Sequence, residues 1–253
     1  PILLNKQKVD KTILEKLKIK SKNPQLNDWK RVVKAKLLPE KEVNVAFVGK
    51  YTELKDSYKS INEALEHAGI KNKTKVNINF VEAENLTTRN VNKILKKADA
   101  ILVPGGFGER GIEGMILACK FSREKNIPYL GICLGMQVAI IEYARNVLKL
   151  KGANSTEFDQ QTKHPVIGLI TEWSDISGKK ETRSKNSDLG GTMRLGGQLC
   201  MLKKKSKSYK MYKKEKIVER HRHRYEVNPK YKNEMINNGL DVVGMSIDGK
   251  LVE

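Results

Sequence analysis

The chain has 253 residues, 39% of them hydrophobic, so it can bury the core of at least one domain of ordinary size. Its formal net charge of +20 raises nucleic acid as a partner, but lysines far outnumber arginines and are scattered, whereas phosphate recognition favours clustered arginine. No apolar run is long enough to cross a membrane and residues 1–20 lack the order of a signal peptide, so we expect a cytoplasmic protein that binds neither membrane nor nucleic acid.

The first 40 residues predict two short helices, one containing Ile13 to Leu17 and one over residues 29–37, separated by a turn at Asn23 and Pro24. After Pro39 the pattern changes to alternating strands and helices. Strands are predicted over residues 43–49, 76–81, 100–103 and 127–132, and helices over residues 57–70, 88–98, 113–125 and 134–146. Such alternation is typical of a parallel sheet covered on both faces.

The second half of the chain is less regular. Strand-like segments occupy residues 166–171, 191–202, 217–227 and 241–247, with a helix over residues 230–238. We therefore predict an α/β fold with a mostly parallel central sheet, helices on both faces, and added β-strands in the second half.

Cys133 stands in the most informative segment of the chain. Residues 128–137 (PYLGICLGMQ) predict an apolar strand that runs through G-x-C-x-G into a helix. So tight a turn strains the central residue and requires small neighbours, which is the pattern of a nucleophile elbow. The helix N-terminus favours the thiolate form of the cysteine. We expect this elbow at the carboxyl end of a central strand, where open α/β sheets bind ligands.

A second glycine-bearing turn, residues 103–108 (VPGGFG), ends the preceding predicted strand. Its backbone N–H groups could stabilise a developing oxyanion, although a glycine-rich turn between a strand and a helix needs no ligand. Two such turns on consecutive strands, one of them holding a cysteine, favour acyl transfer.

The cysteines and histidines predict no metal site. Cys119 and Cys200 form no C-x-x-C or zinc spacing with Cys133, and an odd number of cysteines fits a reducing compartment. The closely spaced His221 and His223 stand among three arginines, which disfavours a metal ion there.

The PGGFG and GICLGMQ stretches resemble those of the class I glutamine amidotransferases. Three further stretches narrow the resemblance to the CTP synthase family: residues 153–158 (ANSTEF), 190–196 (GGTMRLG) and 219–228 (ERHRHRYEVN). The likeness covers residues 43–253 as a glutamine amidotransferase domain, whereas residues 1–42 resemble the tail of the family's synthetase domain and the interdomain linker.

This resemblance implies a domain that hydrolyses L-glutamine through a cysteine thioester. The ammonia would pass to an N-terminal synthetase domain of the same polypeptide, which uses ATP and Mg to aminate UTP to CTP. The glutaminase domain would hold no cofactor of its own. The resemblance also implies GTP as an allosteric activator, with Lys59 and Arg110 as loose candidates for contacting it, and a homotetramer at full length.

Site residues follow from matching the motifs position by position. Cys133 is implied as the nucleophile, and backbone groups of Gly105 and Leu134 as the oxyanion hole. A carboxylate suits an ammonium group and an arginine suits a carboxylate, so Glu157 and Arg224 would hold the two charged ends of glutamine. The remaining residues implied to line the substrate pocket are Gly135, Met136 and Gln137.

The chain departs from the family in one respect. A cysteine nucleophile normally works with a histidine oriented by a carboxylate, and in this family both belong to an HPEF-like motif. No such motif occurs before Glu253, and none of the four histidines matches it: His67, His164, His221 and His223. We therefore expect a domain truncated before its catalytic His/Glu segment, nearly inactive toward glutamine although Cys133 can still be alkylated, and we do not expect His164 or His223 to substitute.

Two alternatives stay open. The domain could supply ammonia to another acceptor, against which residues 190–196 and 219–228 weigh. A basic RNA-associated protein on an α/β scaffold is motivated by charge alone. Labelling of Cys133 by a glutamine-like electrophile would distinguish the two glutaminase hypotheses from the hypothesis of an RNA-associated protein.

Overall fold

The computed structural model describes residues 1–169, 172–174, 180–182 and 193–253. Within these ranges a four-stranded parallel sheet organises the first half of the chain, with strand order β2-β1-β3-β4. Its strands are β1 (Lys41–Gly49), β2 (Thr74–Glu82), β3 (Ala100–Val103) and β4 (Tyr129–Gly131).

Helices cover both faces of this sheet, because successive side chains of a strand point to opposite sides. On β1, Ala46 and Val48 belong to the larger core cluster, whereas Val45 and Phe47 belong to a second cluster on the other face. The helices that follow β1 in the chain are α4 (Lys59–Lys71), α5 (Val91–Leu95), α6 (Ile112–Lys125) and α7 (Leu134–Asn146). Helices α6 and α7 contribute to the larger cluster and α4 to the smaller one, which confirms the predicted α/β class.

Three helices precede the sheet: α1 (Ile2–Lys6), α2 (Val9–Lys16) and α3 (Asn27–Leu37). None of them contains a buried residue. Helix α3 packs against α4, where Lys36 forms an ion pair with Glu66. The helices predicted around residues 13–17 and 29–37 are confirmed, and α1 was not predicted.

The second half forms smaller sheets beside the first. The antiparallel order β10-β9-β12 and the mixed order β11-β6-β5 are accompanied by the pair β7-β8. The elements are β5 (Asn154–Ser155), β6 (Pro165–Leu169), β7 (Glu172–Ser174), β8 (Lys180–Thr182), β9 (Arg194–Leu202), α8 (Lys207–Tyr212), β10 (Lys216–His223), β11 (Tyr225–Val227), α9 (Pro229–Asn237) and β12 (Gly244–Ser246).

Several predicted boundaries are corrected by the structure. The strand predicted over residues 217–227 divides at Arg224, so that β10 pairs with β9 while β11 pairs with β6. The helix predicted over residues 88–98 is reduced to α5, because the Asn90 side chain accepts a hydrogen bond from Thr87 N at 2.8 Å and keeps the preceding residues in a turn. The predicted strand positions 170–171 and 191–192 lie outside the described residues.

The strand before the cysteine is also corrected. Within the described sheet β4 lies at the edge and not in the centre. The next strand in the chain, β5, pairs with β6 instead of extending the sheet beyond β4. In the described ranges, no helix combines the length and apolar character required to cross a bilayer.

Candidate active site

Cys133 occupies a strained strand-to-helix corner. It is separated from the end of β4 by one residue, is the N-cap of α7, and has φ 55° and ψ −106°, a conformation that costs a non-glycine residue about 1–3 kcal/mol. The flanking glycines leave no room for side chains. A Cβ at Gly131 would lie 2.4 Å from the carbonyl carbon of Gly135, and one at Gly135 would lie 2.1 Å from the Val103 oxygen. The backbone therefore has the geometry predicted for a nucleophile elbow.

The glycine-rich turn lies directly against the cysteine. A Cβ built on Gly105 would be 3.3 Å from Cys133 Cβ and 3.8 Å from its Sγ. The two turns meet because β3 and β4 are parallel neighbours, and Ile132 N donates to Val103 O at 3.0 Å. Leu134 is the first residue of α7, so its N–H has no acceptor within the helix. These amides suit an oxyanion, and the assignment of Gly105 and Leu134 to an oxyanion hole stays a prediction.

His223, which the sequence analysis does not expect to act as a base, lies near Cys133, and its role stays untested. Its ring is within hydrogen-bonding reach of the Cys133 side chain, and its Nδ1 donates to Glu226 Oε1 at 3.0 Å. Burial by itself lowers the pKa of His223, but the hydrogen bonds to Cys133 and Glu226 outweigh burial and raise the pKa to about 10. The structure thus brings a thiol, an imidazole and a carboxylate into one line of contacts.

A buried network of charged side chains contacts Glu226. Arg194 Nη1 lies 3.4 Å from Glu226 Oε1, and its Nη2 donates to Glu253. His221 Nε2 also meets the Glu253 carboxylate. Burial raises the pKa of Glu253, yet its hydrogen bonds to His221 and Arg194 bring that pKa below its usual value. Arginine and carboxylates are almost completely buried here, which proteins tolerate only when the charges are paired.

Cys133, His223 and Met136 open onto a cavity of about 420 Å³. Its walls come from the elbow, from strands β9 and β10, from α8 and from the last residues of the chain. The remaining lining residues are Gly131, Ile132, Cys200, Leu202, Ser208, Tyr212, Ile217, Glu219, Arg220, His221, Arg222, Val252 and Glu253. This is a space in which a small substrate or a chain segment could contact the sulfur.

Glu157 and Arg224 do not line that cavity. Glu157 Oε1 accepts a hydrogen bond from Gly108 N at 2.8 Å, so the carboxylate lies at the end of the glycine-rich turn. Arg224 Nε is buried without a hydrogen-bond partner among the described residues. Tyr225 experiences both charges: burial raises its pKa, Glu157 raises it further and Arg224 lowers it. The two side chains thus belong to one neighbourhood, and their roles toward a substrate stay predictions.

Gly135 and Gln137 are both buried on α7. The Gln137 side chain is 5% exposed and donates through Nε2 to Tyr225 O at 2.9 Å. Its amide therefore ties the elbow helix to β11.

The candidate GTP contacts lie elsewhere. Lys59 is exposed at the start of α4, whereas Arg110 forms an ion pair with Glu84 at 2.7 Å and lies 4.3 Å over the Tyr51 ring. Across the described part of the chain, no three His, Cys, Asp or Glu side chains cluster in a way that would hold a metal ion.

Comparison with known proteins agrees with this geometry. Residues 53–253 match the family described as glutamine amidotransferase class-I. Among solved structures, the chain is similar to the glutaminase domain of Trypanosoma brucei CTPS with bound acivicin, with 37% sequence identity and a TM-score of 0.72 over 83% of this chain and 78% of that one. Because the family match spans most of the chain and includes Cys133 and the glycine-rich turn, the chain belongs to the class I glutamine amidotransferases.

Proposed function

We propose that the chain is the glutaminase domain of a CTP synthase, which hydrolyses L-glutamine and supplies ammonia for the amination of UTP. The single observation that carries the proposal is the Cys133 thiol on a strained elbow, against the glycine-rich turn at Gly105. Similarity to the Trypanosoma brucei CTPS glutaminase domain supports the narrower assignment over other amidotransferases.

The chemistry assigned to the site is acyl transfer. The Cys133 thiolate attacks the side-chain carbonyl carbon of glutamine, and the N–H groups of Gly105 and Leu134 donate to the resulting oxyanion. The amide nitrogen takes up the proton that the thiol gave up, and the intermediate collapses with loss of ammonia to a glutamyl thioester, which water then cleaves to glutamate and the free thiol. Loss of a single oxyanion donor typically slows such a reaction by about 10²–10³-fold.

Glu157 and Arg224 are proposed to hold the α-amino and α-carboxylate groups of glutamine. The proposal is supported by the buried Arg224 Nε, which has no partner in the described part of the chain, because burying an unpaired donor is costly unless a ligand satisfies it. It is also supported by the Glu157 carboxylate at Gly108, one end of the turn that meets Cys133.

The wider reaction rests on the motif resemblance. In the proposed full-length enzyme, a synthetase domain uses ATP and Mg to activate UTP. GTP activates the glutaminase domain through residues such as Lys59 or Arg110, and the full polypeptide forms a homotetramer. A cytoplasmic location is proposed with it, supported by three free cysteines.

Acivicin labelling tests the proposal, since it uses the ligand named with the similar CTPS domain. We expect one adduct per chain, found on Cys133 by peptide mass spectrometry, suppressed by excess L-glutamine and lost in Cys133→Ser. Asparagine at the same concentration is the control and should give little protection. An adduct on Cys119 or Cys200, or labelling that glutamine does not slow, would contradict a glutamine site at the elbow.

A further inference from the structure

We infer that Lys50 is a positioning residue for the glutaminase site, because with Glu157 it holds the glycine-rich turn of residues 103–108 in one orientation. In that orientation the turn presents the Gly105 N–H to the place beside Cys133 where an oxyanion would form. The inference rests on the proposed function, since it concerns an oxyanion donor assigned there. Lys50 itself does not line the cavity at Cys133, and its hydrogen bonds are to the turn.

The glycine-rich turn has little packing of its own to hold it in place. Gly105, Phe107 and Gly108 are exposed. Gly108 has φ 76°, and a Cβ built on it would meet no atom within 4 Å. Glycine also has access to more backbone conformations than any other residue. Such a turn needs polar contacts if its N–H groups are to keep one direction.

Lys50 supplies such contacts from the end of β1. It follows the last residue of that strand, is 6% exposed, and donates through Nζ to Phe107 O at 3.0 Å and to Gly108 O. Hydrogen bonds from a charged donor are about twice as strong as those between neutral groups. A buried ammonium is also costly unless its charge is satisfied, so the two carbonyl groups are held toward Lys50.

Glu157 holds the same peptide unit from the opposite side. Gly108 N donates to Glu157 Oε1 at 2.8 Å, whereas the Phe107 oxygen of that peptide accepts from Lys50. The C=O and N–H of a trans peptide point in opposite directions, so a cation at one end and a carboxylate at the other fix its plane. The two charges also act on each other, because burial lowers the pKa of Lys50 and the Glu157 carboxylate opposes that shift.

The place of Lys50 in the sheet explains how its side chain reaches the turn. In the strand order β2-β1-β3-β4, the carboxyl ends of β1 and β3 border the point where the strand order reverses. Open α/β sheets usually bind ligands in the crevice at such a point. Lys50 follows β1 and the glycine-rich turn follows β3, so the lysine side chain bridges this crevice.

The main chain around Lys50 is itself fixed by hydrogen bonds. Tyr58 Oη donates to Lys50 O. Two residues further on, Thr52 N and Oγ1 each donate to Glu82 Oε2 at 3.0 Å. These bonds tie the end of β1 to the segment before α4 and to β2, so the lysine backbone provides a rigid base for its contacts with the turn.

Two electrophiles that react with the same thiol separate positioning of the turn from reactivity of the sulfur. Attack on acivicin places negative charge on the ring nitrogen beside the attacked carbon, as attack on glutamine places it on oxygen, and the N–H groups of the turn can stabilise that charge. Iodoacetamide reacts at a saturated carbon and needs no donor from the turn. In Lys50→Met we expect the maximal rate of acivicin labelling of Cys133 to fall about 10–100-fold, because a misplacement of about 1 Å can cost 10²-fold.

The same variant should react with iodoacetamide at nearly the wild-type rate, and its half-saturating acivicin concentration should change less than its maximal rate. Lys50→Arg retains a cation with several donors and should recover part of the acivicin rate. Lys149→Met is the matched control. The Lys149 ammonium also donates to a main-chain carbonyl, that of Asn146 at 2.6 Å, but at the end of α7 remote from Cys133, so this variant should leave both rates unchanged.

A folded Lys50→Met chain that acivicin labels at the wild-type rate overturns the inference. Equal slowing of both electrophiles also overturns it, because a merely structural role would disturb the whole elbow. Should Lys50→Met fail to fold, amide hydrogen exchange in the wild-type chain decides instead. Gly108 and Gly152 are both exposed glycines with positive φ, and slower exchange at Gly108, relative to intrinsic rates, supports the inference, whereas equal exchange overturns it.

The two proposals fail in different ways. A wild-type chain that acivicin does not label at Cys133 contradicts the proposed function, and the inference that rests on it falls as well. A wild-type chain that is labelled, with glutamine protection, beside a Lys50→Met chain labelled equally fast contradicts the inference alone.

Discussion

The three cysteines differ in their surroundings, and these surroundings determine which thiol is reactive. Cys133 is partly exposed at a helix N-terminus, whereas Cys119 and Cys200 are buried. Burial raises the pKa of Cys119 to about 12 and that of Cys200 to about 11, because an apolar environment disfavours the thiolate. Near neutral pH these two side chains remain thiols and react slowly.

This contrast predicts selective labelling. Near neutral pH, the native chain treated with limiting iodoacetamide should carry the label on Cys133. Cys119 and Cys200 should be alkylated at least about 100-fold more slowly, because burial raises the pKa of both thiols well above that of an ordinary cysteine. Quantitative peptide mass spectrometry measures the three rates. Guanidinium-unfolded chain is the control, in which all three should label alike. Comparable native labelling of Cys200, which also lines the cavity, would contradict the burial argument.

Close backbone contacts restrict which residues can occupy the elbow around Cys133. Strand β3, the turn at Cys133 and helix α7 approach so closely that Gly135 sits on the Val103 carbonyl. Such packing explains why the G-x-C-x-G pattern predicts a local structure: neither glycine can be replaced without moving a strand or a helix.

Gly135→Ala should therefore destabilise the fold by roughly 1–3 kcal/mol or more, the usual cost of overpacking, and should slow Cys133 alkylation because α7 must move. Gly168→Ala is the matched control, since a Cβ at Gly168 on β6 would meet no atom within 4 Å. Chemical denaturation gives the free energy of unfolding for both variants. Equal stability of the two variants would show that the close contact at Gly135 relaxes at no cost.

For the molecule as a whole, hydrogen bonds from helix α7 join the parallel-sheet half to the smaller sheets, and ion pairs join parts of the second half to one another. Gln137 of α7 donates to the Tyr225 carbonyl, and the Arg194, Glu226 and Glu253 network fastens β9, β11 and the last residues together. The site therefore depends on how the halves are joined, since Cys133 comes from one and His223 from the other. The net charge of +20 has no part in this arrangement, which uses buried and paired charges.

The network predicts a pH dependence of stability. The pKa of Glu253 is lowered on folding, so its ionised form stabilises the fold above its unfolded pKa of about 4.3, and this contribution is lost as pH falls through the lower folded pKa. Removing one member of a buried pair typically costs about 3–5 kcal/mol. Glu253→Gln should therefore unfold more easily at neutral pH and lose less further stability on acidification.

Urea denaturation at a series of acidic and neutral pH values measures this effect. Glu124→Gln is the control, because Glu124 is exposed and its ion-pair distances to Lys120 and Arg123 are 3.8 and 3.9 Å, a type of surface pair that contributes about 0–1 kcal/mol. If Glu253→Gln and Glu124→Gln show the same pH profile, the buried network does not govern acid stability.

Local patterns in the sequence were sufficient for the alternating strands and helices, the elbow at Cys133 and the turn at Gly105, because apolar periodicity and glycine requirements act over a few neighbouring residues. Only the tertiary structure decided that β4 ends the described parallel sheet, that the strand breaks at Arg224, and that His223 lies beside Cys133 with Glu226 on its ring. Those outcomes depend on which strands pair and on contacts between residues far apart in the chain. Periodicity within one segment carries no information about either.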